Sequence, residues 1–430
     1  MSDTLQALKA HPERTPSNLW RRETPGEAGW PRSAHAGAPN KYFMFSADTH
    51  VVEPADYLKD IEPEYRDRVP HLETRPDGSQ WLITEGNRPQ RVRGGAGRQE
   101  TPGEVGGAGG VAAFGVLDEE DVLRNASGRT IEQRLADHAA DGVDAELMFP
   151  NRGLLGWATP DPVFAMAMCR QWNRWTHGFC GQHMQGDNPR MLPAALLAPG
   201  DQAGTMKEIA WAADHGFRAV CLSNSVIYGP KKWGELEYND PSFEPMWRLL
   251  EETGLVVTFH VSTGRDPRAV GGAGGAIVNY ACHSMETTIE PLVQMIASGV
   301  FERHPRLYAG LVESGVGFVP WLLETLDHAA KAHHFWVRPQ LKEPPSAYFR
   351  RNCFATFQDD PAGLRMAEAY DLADNFLWAN DYPHHEGSWP YSAEAIERNM
   401  GGLSDASRAK ILGLNAARLF GLDPKAYGVG

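Results

Sequence analysis

Three short apolar stretches of the chain end in side chains that commonly bind metal ions. Asp48 and His50 lie two residues apart in the stretch 45–54, so on a β-strand their side chains point to the same face. Two further stretches end at His260 and at Asp381. A buried carboxylate beside an imidazole is costly unless a positive charge pairs with it, and a divalent metal ion supplies that charge. The pattern therefore predicts a metal site.

Each of these residues also has a purely structural interpretation. Asp48 fits a turn and His50 a core position, and a single histidine late in an apolar strand, such as His260, is more often a hydrogen-bonded core residue. The coincidence of three separate strand ends favours the metal site over these interpretations. Two carboxylates and two imidazoles suit Zn²⁺, Mn²⁺ or Fe²⁺ and leave positions open for water and substrate.

Eight short stretches rich in β-branched or aromatic residues alternate with helical patterns along residues 43–430. This alternation is typical of an α/β fold, and eight strands are the number that a closed (β/α)8 barrel, or TIM barrel, needs. Active sites of such barrels lie at the C-terminal ends of the strands, so the three ligand-bearing ends would meet at one mouth. The predicted strands span 43–52, 145–151, 191–198, 219–225, 256–263, 307–313, 353–358 and 376–383. The predicted helices include 162–182, 205–215, 241–253, 286–298 and 404–420.

Several segments do not fit the barrel pattern. Residues 1–42 are polar and lack periodicity, so we interpret them as an N-terminal arm that packs on its own barrel or on a neighbouring subunit through Trp20 and Trp30. An insertion at 70–115 begins with a predicted hairpin and continues as a glycine-rich loop, and a second glycine-rich loop spans 264–280. Neither loop matches a phosphate-binding motif, which favours active-site loops or subunit contacts.

The composition of the chain indicates which kinds of molecule the protein binds. The 430 residues carry 41 Lys and Arg against 55 Asp and Glu, a net charge of −14 that argues against nucleic-acid binding. No apolar run approaches the ~20 residues of a membrane span, and the N-terminus lacks the apolar core of a secretory signal. The five cysteines form no CxxC pair, which is typical of reduced thiols in the cytoplasm. Because nucleic acids and membranes are disfavoured as partners, we expect a cytoplasmic enzyme that acts on a small molecule.

Four motifs resemble those of a known family. They are ADTHVVEP at 47–54, TFHVST at 258–263, SGVFERHPRLYAGLVE at 298–313 and LWANDYPHHEG at 377–387. With them, the chain resembles the amidohydrolase superfamily, in the branch that includes aminocarboxymuconate-semialdehyde decarboxylase and the resorcylate-type decarboxylases. The resemblance implies a metal-containing (β/α)8 barrel whose ligands are Asp48, His50, His260 and Asp381. Asp48 stands where hydrolases of the superfamily have histidine, and decarboxylase-like members often have a carboxylate there.

The resemblance also implies two catalytic positions after the fifth barrel strand, His283 and Glu286. His283 would donate a proton or stabilise charge on the substrate, and Glu286 would fix the tautomer of His283. Asp381, if it binds the metal through one oxygen, can take a proton with the other. The metal would activate a water molecule and polarise a substrate oxygen.

Other polar residues near the predicted mouth leave alternatives open. Glu53, Glu313, His384 and also His283 are candidates for a second metal site or for positioning the ligands of the first, and Glu53 and Glu313 also fit ordinary structural roles. Two further residues are candidates for substrate binding. Arg152 would clamp a substrate carboxylate, and Asn224 would donate a hydrogen bond to the substrate.

The prediction from sequence is a metal-dependent hydrolase or decarboxylase acting on a small carboxylated or carbonyl compound. Two alternatives remain open. The same barrel would serve as a dinuclear iron or manganese oxygenase or hydrolase subunit, or as a weakly active scaffolding subunit of a hetero-oligomer. A homo- or hetero-oligomer is expected in either case, since the arm and the glycine-rich loops are suited to subunit contacts.

Overall fold

Eight parallel strands form the central sheet of the molecule, and a small antiparallel sheet lies beside them. The computed structural model describes residues 42–54, 56–92, 124, 127–230, 232, 234–264 and 270–428, without the side chains of 90–92, 276 and 286. Its strands are β1 (Phe45–Val51), β2 (His71–Thr74), β3 (Gln80–Ile83), β4 (Gln90–Val92), β5 (Ala145–Pro150), β6 (Met191–Leu197), β7 (Ala219–Leu222), β8 (Val256–His260), β9 (Ala309–Val312), β10 (Cys353–Phe357) and β11 (Phe376–Trp378).

The large sheet closes between its first and last strands. Its order is β1-β5-β6-β7-β8-β9-β10-β11, so consecutive barrel strands are neighbours. Past the end of β11, Thr49 and Tyr382 form a parallel bridge. The amide of His50 donates to the carbonyl of Tyr382 at 2.6 Å, and the amide of Asp381 donates to that of Asp48 at 3.1 Å. The predicted (β/α)8 barrel is confirmed, with all eight predicted strands at their expected places.

Helices follow the barrel strands and cover the sheet. They are α1 (Ile131–Asp141), α2 (Pro162–Cys180), α3 (Gln202–Asp214), α4 (Glu244–Thr253), α5 (Gly275–Val278), α6 (Glu286–Ala297), α7 (Val300–Arg303), α8 (Val319–Ala332), α9 (Pro345–Asn352), α10 (Pro361–Ala367), α11 (Ser392–Met400), α12 (Asp405–Ala409) and α13 (Asn415–Phe420). Their ends follow local chemistry: the Thr130 hydroxyl caps the start of α1, and Gly142 ends it with a φ of 84°. Within the described residues, none of these helices has both the length and the apolar character needed to cross a membrane.

The predicted helix 404–420 is interrupted. Between α12 and α13 the backbone forms a π-helical turn, Lys410–Leu414. Gly413 lies against the backbone of β1 here, because a Cβ at this position would stand 2.1 Å from the carbonyl oxygen of Phe43. The side chain of Asn415 donates to the carbonyls of Ala373 and Phe376, at 2.8 and 2.9 Å. These contacts fix the C-terminal helices across the beginnings of β1 and β11, the strands that lead to the predicted ligands Asp48, His50 and Asp381.

The barrel strands are buried on both faces, as parallel strands between a barrel interior and surrounding helices must be. Their side chains and the inner faces of the helices form one continuous core that includes fully buried Trp172, Trp247 and Trp378. Polar side chains are therefore exceptions inside this core, and the predicted metal ligands are among them.

The predicted hairpin at 70–93 is present as β2 and β3, and its turn places Gly78 at a φ of 79°. A third strand, β4, pairs with β3 and extends the hairpin to a three-stranded antiparallel sheet. The glycine-rich part of the insertion, the N-terminal arm through residue 41 and part of the second glycine-rich loop lie outside the described residues. The division into arm, barrel and insertion therefore stays a prediction.

Candidate metal centre

Strand β1 places two of the predicted ligands in the barrel interior. Asp48 and His50 are fully buried, and the Nε2 atom of His50 lies 3.5 Å from Oδ1 of Asp48. The pairing of β1 with β5 is irregular between Ser46 and Thr49, and such a bulge re-aims the side chains that follow it. The hydroxyl of Ser46 lies 2.8 Å from Oδ1 of Asn380, which links this irregular stretch to the segment after β11.

The two other predicted ligands come from the ends of β8 and β11. Nε2 of His260 lies 3.2 Å from Nε2 of His50 and 3.4 Å from Oδ1 of Asp48. Asp381, with a backbone φ of 50°, brings its Oδ1 within 3.4 Å of Nε2 of His50. The structure thus brings all four predicted ligands together at the C-terminal mouth of the barrel.

The two carboxylates of this cluster lack hydrogen-bond donors, as expected where a cation binds. None of the four oxygens of Asp48 and Asp381 accepts a well-aligned hydrogen bond from the described residues, although both carboxylates are fully buried. Nδ1 of His50 lies 2.7 Å from the carbonyl of Pro150, and Nδ1 of His260 lies 2.9 Å from that of Val261. Because a carbonyl only accepts, each Nδ1 carries the hydrogen, and a neutral ring in either position turns its Nε2 lone pair to the carboxylates. The donor set fits a divalent metal ion.

Glu313 joins this cluster from β9. It follows the strand with a φ of 62°, and its Oε2 lies 3.8 Å from Nε2 of His260. Its Oε1 accepts from the hydroxyl of Tyr280 at 3.3 Å, and its amide donates to the Thr356 hydroxyl. Ligand atoms of Asp48, His50, His260 and Glu313 all lie within 4.8 Å of one another. Glu313, a candidate for either role from sequence, therefore faces the metal centre directly.

The loop after β11 adds two more groups. The ring of His384 stacks on that of His50 at a centroid distance of 3.9 Å, and its Nδ1 lies 3.5 Å from Oδ1 of Asp381. Glu386 forms a further group with Glu313 and Asp381, again within 4.8 Å. The sequence reasoning missed Glu386, although it belongs to the DYPHHEG motif, because nothing in its spacing distinguishes it from a surface glutamate.

Without a cation, burial and neighbouring charges shift the pKa values of these groups. Burial, then the nearby rings of His384 and His260, lower the pKa of His50 well below its usual range. Burial works in the same direction on His260, but the Asp48 carboxylate outweighs it and raises that pKa to about 9. Burial raises the pKa of Asp381 well above its usual range, and the nearby Asp48 adds to the effect. Metal binding at such a site must displace protons.

Glu53 has a structural role in the described structure. Its Oε1 accepts from the amides of Asn151 and Gly153 and from the Trp172 indole, and its Oε2 accepts from the amide of Arg152, at 2.8 to 3.1 Å. Burial nevertheless raises its pKa. Both oxygens are occupied by the turn that follows β5, so Glu53 positions this turn and lies outside the metal-binding groups.

The two predicted substrate-binding residues differ in exposure. Arg152 is exposed, which leaves its side chain accessible near the mouth. Asn224 is buried, and its side-chain amide donates to the carbonyl of His260 and to the hydroxyl of Thr288, both at 3.0 Å. These bonds hold the end of β8 in place, so the amide group of Asn224 supports the predicted ligand His260.

The predicted proton donor lies in the helix that follows the second glycine-rich loop. His283 is half-buried in a π-helical turn, Asn279–Met285, and it belongs to none of the three groups of clustered ligand atoms. Glu286 begins α6, and its side chain lies outside the described part of the structure. The roles of both residues stay predictions.

Comparison with known proteins identifies the family. The family model described as Amidohydrolase matches residues 107–422. The chain belongs to the amidohydrolase family. The gamma-resorcylate decarboxylase of Rhizobium sp. (strain MTP-10005) is 27% identical over 305 residues, which cover 68% of this chain and 87% of that protein. The resemblance inferred from the motifs is thereby confirmed, and the chain is an enzyme of the amidohydrolase superfamily.

Solved structures show the same amidohydrolase barrel. An amidohydrolase from Mycobacterium avium subsp. paratuberculosis K-10 superposes with a TM-score of 0.69 at 20% identity, over 88% of this chain and 99% of that one. A 5-carboxyvanillate decarboxylase from Novosphingobium aromaticivorans DSM 12444, solved with manganese and 4-hydroxy-3-methoxy-5-nitrobenzoic acid, gives a TM-score of 0.60 at 15% identity, over 89% and 96% of the two chains. At these identities the likeness establishes the fold.

Proposed function

We propose that this amidohydrolase is a metal-dependent decarboxylase of a small aromatic carboxylic acid that carries a hydroxyl group next to its carboxylate. The observation that carries the proposal is the buried pair Asp48 and Asp381, whose four oxygens lack hydrogen-bond partners among the described residues. The Oδ1 atom of Asp381 lies 3.4 Å from Nε2 of His50, and that of Asp48 lies 3.4 Å from Nε2 of His260. The gamma-resorcylate decarboxylases among its relatives and the hydroxybenzoate-type compound bound by its structural relative support the substrate class.

Asp48, His50, His260 and Asp381 are the proposed ligands of one divalent ion, and Glu313 stands beside them. The manganese in the related 5-carboxyvanillate decarboxylase supports Mn²⁺, while zinc and iron suit the same donors. When bound, the ion would polarise an oxygen atom of the substrate. The Nδ1 bonds of the two histidines to backbone carbonyls hold their rings in the orientation that this binding needs.

Decarboxylation exchanges carbon dioxide for a proton at one carbon atom, so the site must deliver a proton. Asp381 is suited to this step, because its Oδ1 faces His50 and His384 while its Oδ2 has no hydrogen-bond partner among the described residues. We assign the transferred proton to Oδ2 of Asp381. The carbon–carbon bond to the carboxylate then breaks, and its electron pair returns to the ring. His283 is proposed to hydrogen-bond the substrate, with Glu286 orienting it, and exposed Arg152 to attract the substrate carboxylate.

The experiment is a product assay in heavy water. Protein loaded with Mn²⁺ is offered hydroxybenzoates such as 2,6-dihydroxybenzoate and 5-carboxyvanillate, together with a panel of amides and lactones. We expect release of carbon dioxide and one deuterium at the carbon that carried the carboxylate. Asp381→Asn should abolish this release, whereas Asp374→Asn, a surface aspartate paired with Lys410, should not. Hydrolysis of the amides or lactones without decarboxylation of any acid would overturn the proposal.

A further inference from the structure

One buried side chain, that of Asn380, joins the two segments that carry Asp48 and Asp381. Asn380 is fully buried and directly precedes Asp381. Its backbone amide donates to the hydroxyl of Ser46 at 3.0 Å, and that hydroxyl lies 2.8 Å from Oδ1 of Asn380 and 2.8 Å from the carbonyl oxygen of Asp48. Asn380 thus holds the irregular part of β1 against the segment after β11.

The nitrogen of the same side chain contacts helix α1. Nδ2 of Asn380 donates to Oδ2 of Asp141 at 3.2 Å. Asp141 is the last residue of α1, is also buried, and accepts from the amide of Ser392 at 3.2 Å. An ionised carboxylate only accepts, so the atom of Asn380 that faces it must be the nitrogen, and the oxygen then faces Ser46 and the amide of Tyr382. The site therefore distinguishes asparagine from aspartate, although the two side chains have the same shape.

The carboxylates of Asp48 and Asp381 depend on backbone contacts for their positions. None of their four oxygens accepts a well-aligned hydrogen bond from the described residues. Their backbones are linked by the amide of Asp381, which donates to the carbonyl of Asp48 at 3.1 Å. The carbonyl of Asn380 accepts from the amide of Ser388 at 2.9 Å, and a Cβ at Gly387 would stand 2.2 Å from the same oxygen. The placement of both carboxylates therefore follows from the segment that Asn380 holds.

We propose that Asn380 is a positioning residue of the metal centre. Its side-chain amide links Asp141 on α1 to Ser46 on β1. This link holds the backbones of Asp48 and Asp381 at the spacing that lets both carboxylates reach one divalent ion. The inference rests on the proposed function in that these two carboxylates must bind the ion. Replacing a residue that supports metal ligands in this way typically changes the metal affinity ~10–100-fold.

The test exchanges the two partners of one hydrogen bond. In Asn380→Asp a carboxylate faces the carboxylate of Asp141, so the bond is lost and like charges oppose each other. Adding Asp141→Asn restores one donor and one acceptor with their places exchanged, because the new amide nitrogen donates to the carboxylate at position 380. Asn380→Ser is a second variant that removes the bond without opposing charges. Asp141→Asn does not restore the bond there, because the shorter side chain does not reach position 141.

The matched control is Asn173→Asp. Asn173 is also fully buried, and its Nδ2 donates to Oε1 of Glu208 at 3.0 Å, but it joins α2 to α3 and β6. Full-length proteins stripped with a chelator are titrated with Mn²⁺ by calorimetry, and thermal melting of the metal-free proteins measures their stability. We expect both Asn380 variants to bind Mn²⁺ ~10–100-fold more weakly than the wild type, and Asp141→Asn to restore most of the affinity of Asn380→Asp. Asn173→Asp should melt at a lower temperature with unchanged Mn²⁺ affinity.

The outcomes separate this inference from the proposed function. Wild-type Mn²⁺ affinity in both Asn380 variants would overturn the inference. An equal loss of affinity in Asn173→Asp would also overturn it, since the loss would then follow from general destabilisation. Failure of Asp141→Asn to restore the affinity of Asn380→Asp would overturn the link to α1.

Two results concern the wild type. A wild type that binds no Mn²⁺ would overturn the inference together with the metal site of the proposed function. If the wild type binds Mn²⁺ and the Asn380 variants lose affinity as expected, but no acid is decarboxylated, the proposed function is overturned and the inference stands.

Discussion

Replacing Arg134 by methionine tests how strongly this buried side chain stabilises strand β1, which carries Asp48 and His50. Arg134 is fully buried on α1, where it forms an ion pair with Glu146 and donates to the carbonyl of His50 at 2.6 Å and to the Thr49 hydroxyl at 3.1 Å. Breaking a buried pair by removing one partner typically costs ~3–5 kcal/mol. His138 remains 2.7 Å from Glu146 as a second partner, so we expect a loss near ~3 kcal/mol of unfolding free energy.

The loss should depend on pH with a defined sign. In the wild type, burial opposes the charge of Glu146, but Arg134 and His138 outweigh it and hold its pKa below the ordinary value of 4.5. The pair therefore stabilises the protein above about pH 4.5, and the contribution is lost as the pH falls. In Arg134→Met the buried carboxyl lacks its main partner, so its pKa rises and the stability of the variant falls as the pH increases. The difference between the two proteins should be larger at pH 8 than at pH 5.

The assay is denaturant unfolding followed by tryptophan fluorescence at pH 5 and pH 8. The matched control is Arg351→Met, because the pair of Arg351 with Glu343 is about half exposed and such pairs are worth ~0–1 kcal/mol. Adding Glu146→Gln to Arg134→Met should recover part of the loss, since no unpaired charge then remains. Equal losses at both pH values, or a loss no larger than that of Arg351→Met, would refute the reasoning.

Three further predictions concern single side chains. Asp48→Asn removes a charge from the proposed metal site, and elemental analysis should find less Mn²⁺ per chain than in the wild type; full occupancy would contradict the ligand assignment. Glu53→Gln mismatches at least one of four N–H donors, so unfolding should show a loss of ~2 kcal/mol, and an unchanged free energy would rule out its structural role. In Gly310→Ala the new Cβ would stand 2.3 Å from the ring of Phe354, so the free energy of unfolding should fall by ~1–3 kcal/mol. The control Gly402→Ala, with no heavy atom within 4 Å of the Cβ, should lose less. Equal melting curves for the two variants would contradict the packing argument.

The barrel and the cluster of Asp48, His50, His260 and Asp381 could be predicted from sequence because both are encoded locally. Each buried strand is a short apolar run, and a polar residue at its end is visible without knowledge of its neighbours. A barrel then brings strand ends to one mouth, whichever strands they are. Asp48, His50, His260 and Asp381 were therefore predicted, and the structure brings them together.

Residues on the connecting segments were harder to assign because their positions depend on loop paths. Glu53 and Glu313 are both carboxylates close to the end of a strand, and the sequence left both open between metal binding and support. In the structure, Glu53 turns to the amides after β5, whereas Glu313, with its positive φ, turns into the mouth. A difference in a few backbone dihedral angles separates these roles, and no residue pattern reports it.

The sequence by itself predicted a (β/α)8 barrel with candidate metal ligands at the ends of three strands, because apolar periodicity and the types of the strand-end residues are properties of short segments. The resemblance to amidohydrolases came from its four motifs. Only the tertiary structure decided that Glu386 and His384 lie close to Asp381, and that Arg134 donates a hydrogen bond to the backbone of β1 at His50. Arg134 and His50 are 84 positions apart along the chain, and Glu386 lies 386 − 313 = 73 positions after Glu313, with which it is grouped. The energies of these contacts come from burial and pairing of charges, which exist only once the barrel has closed.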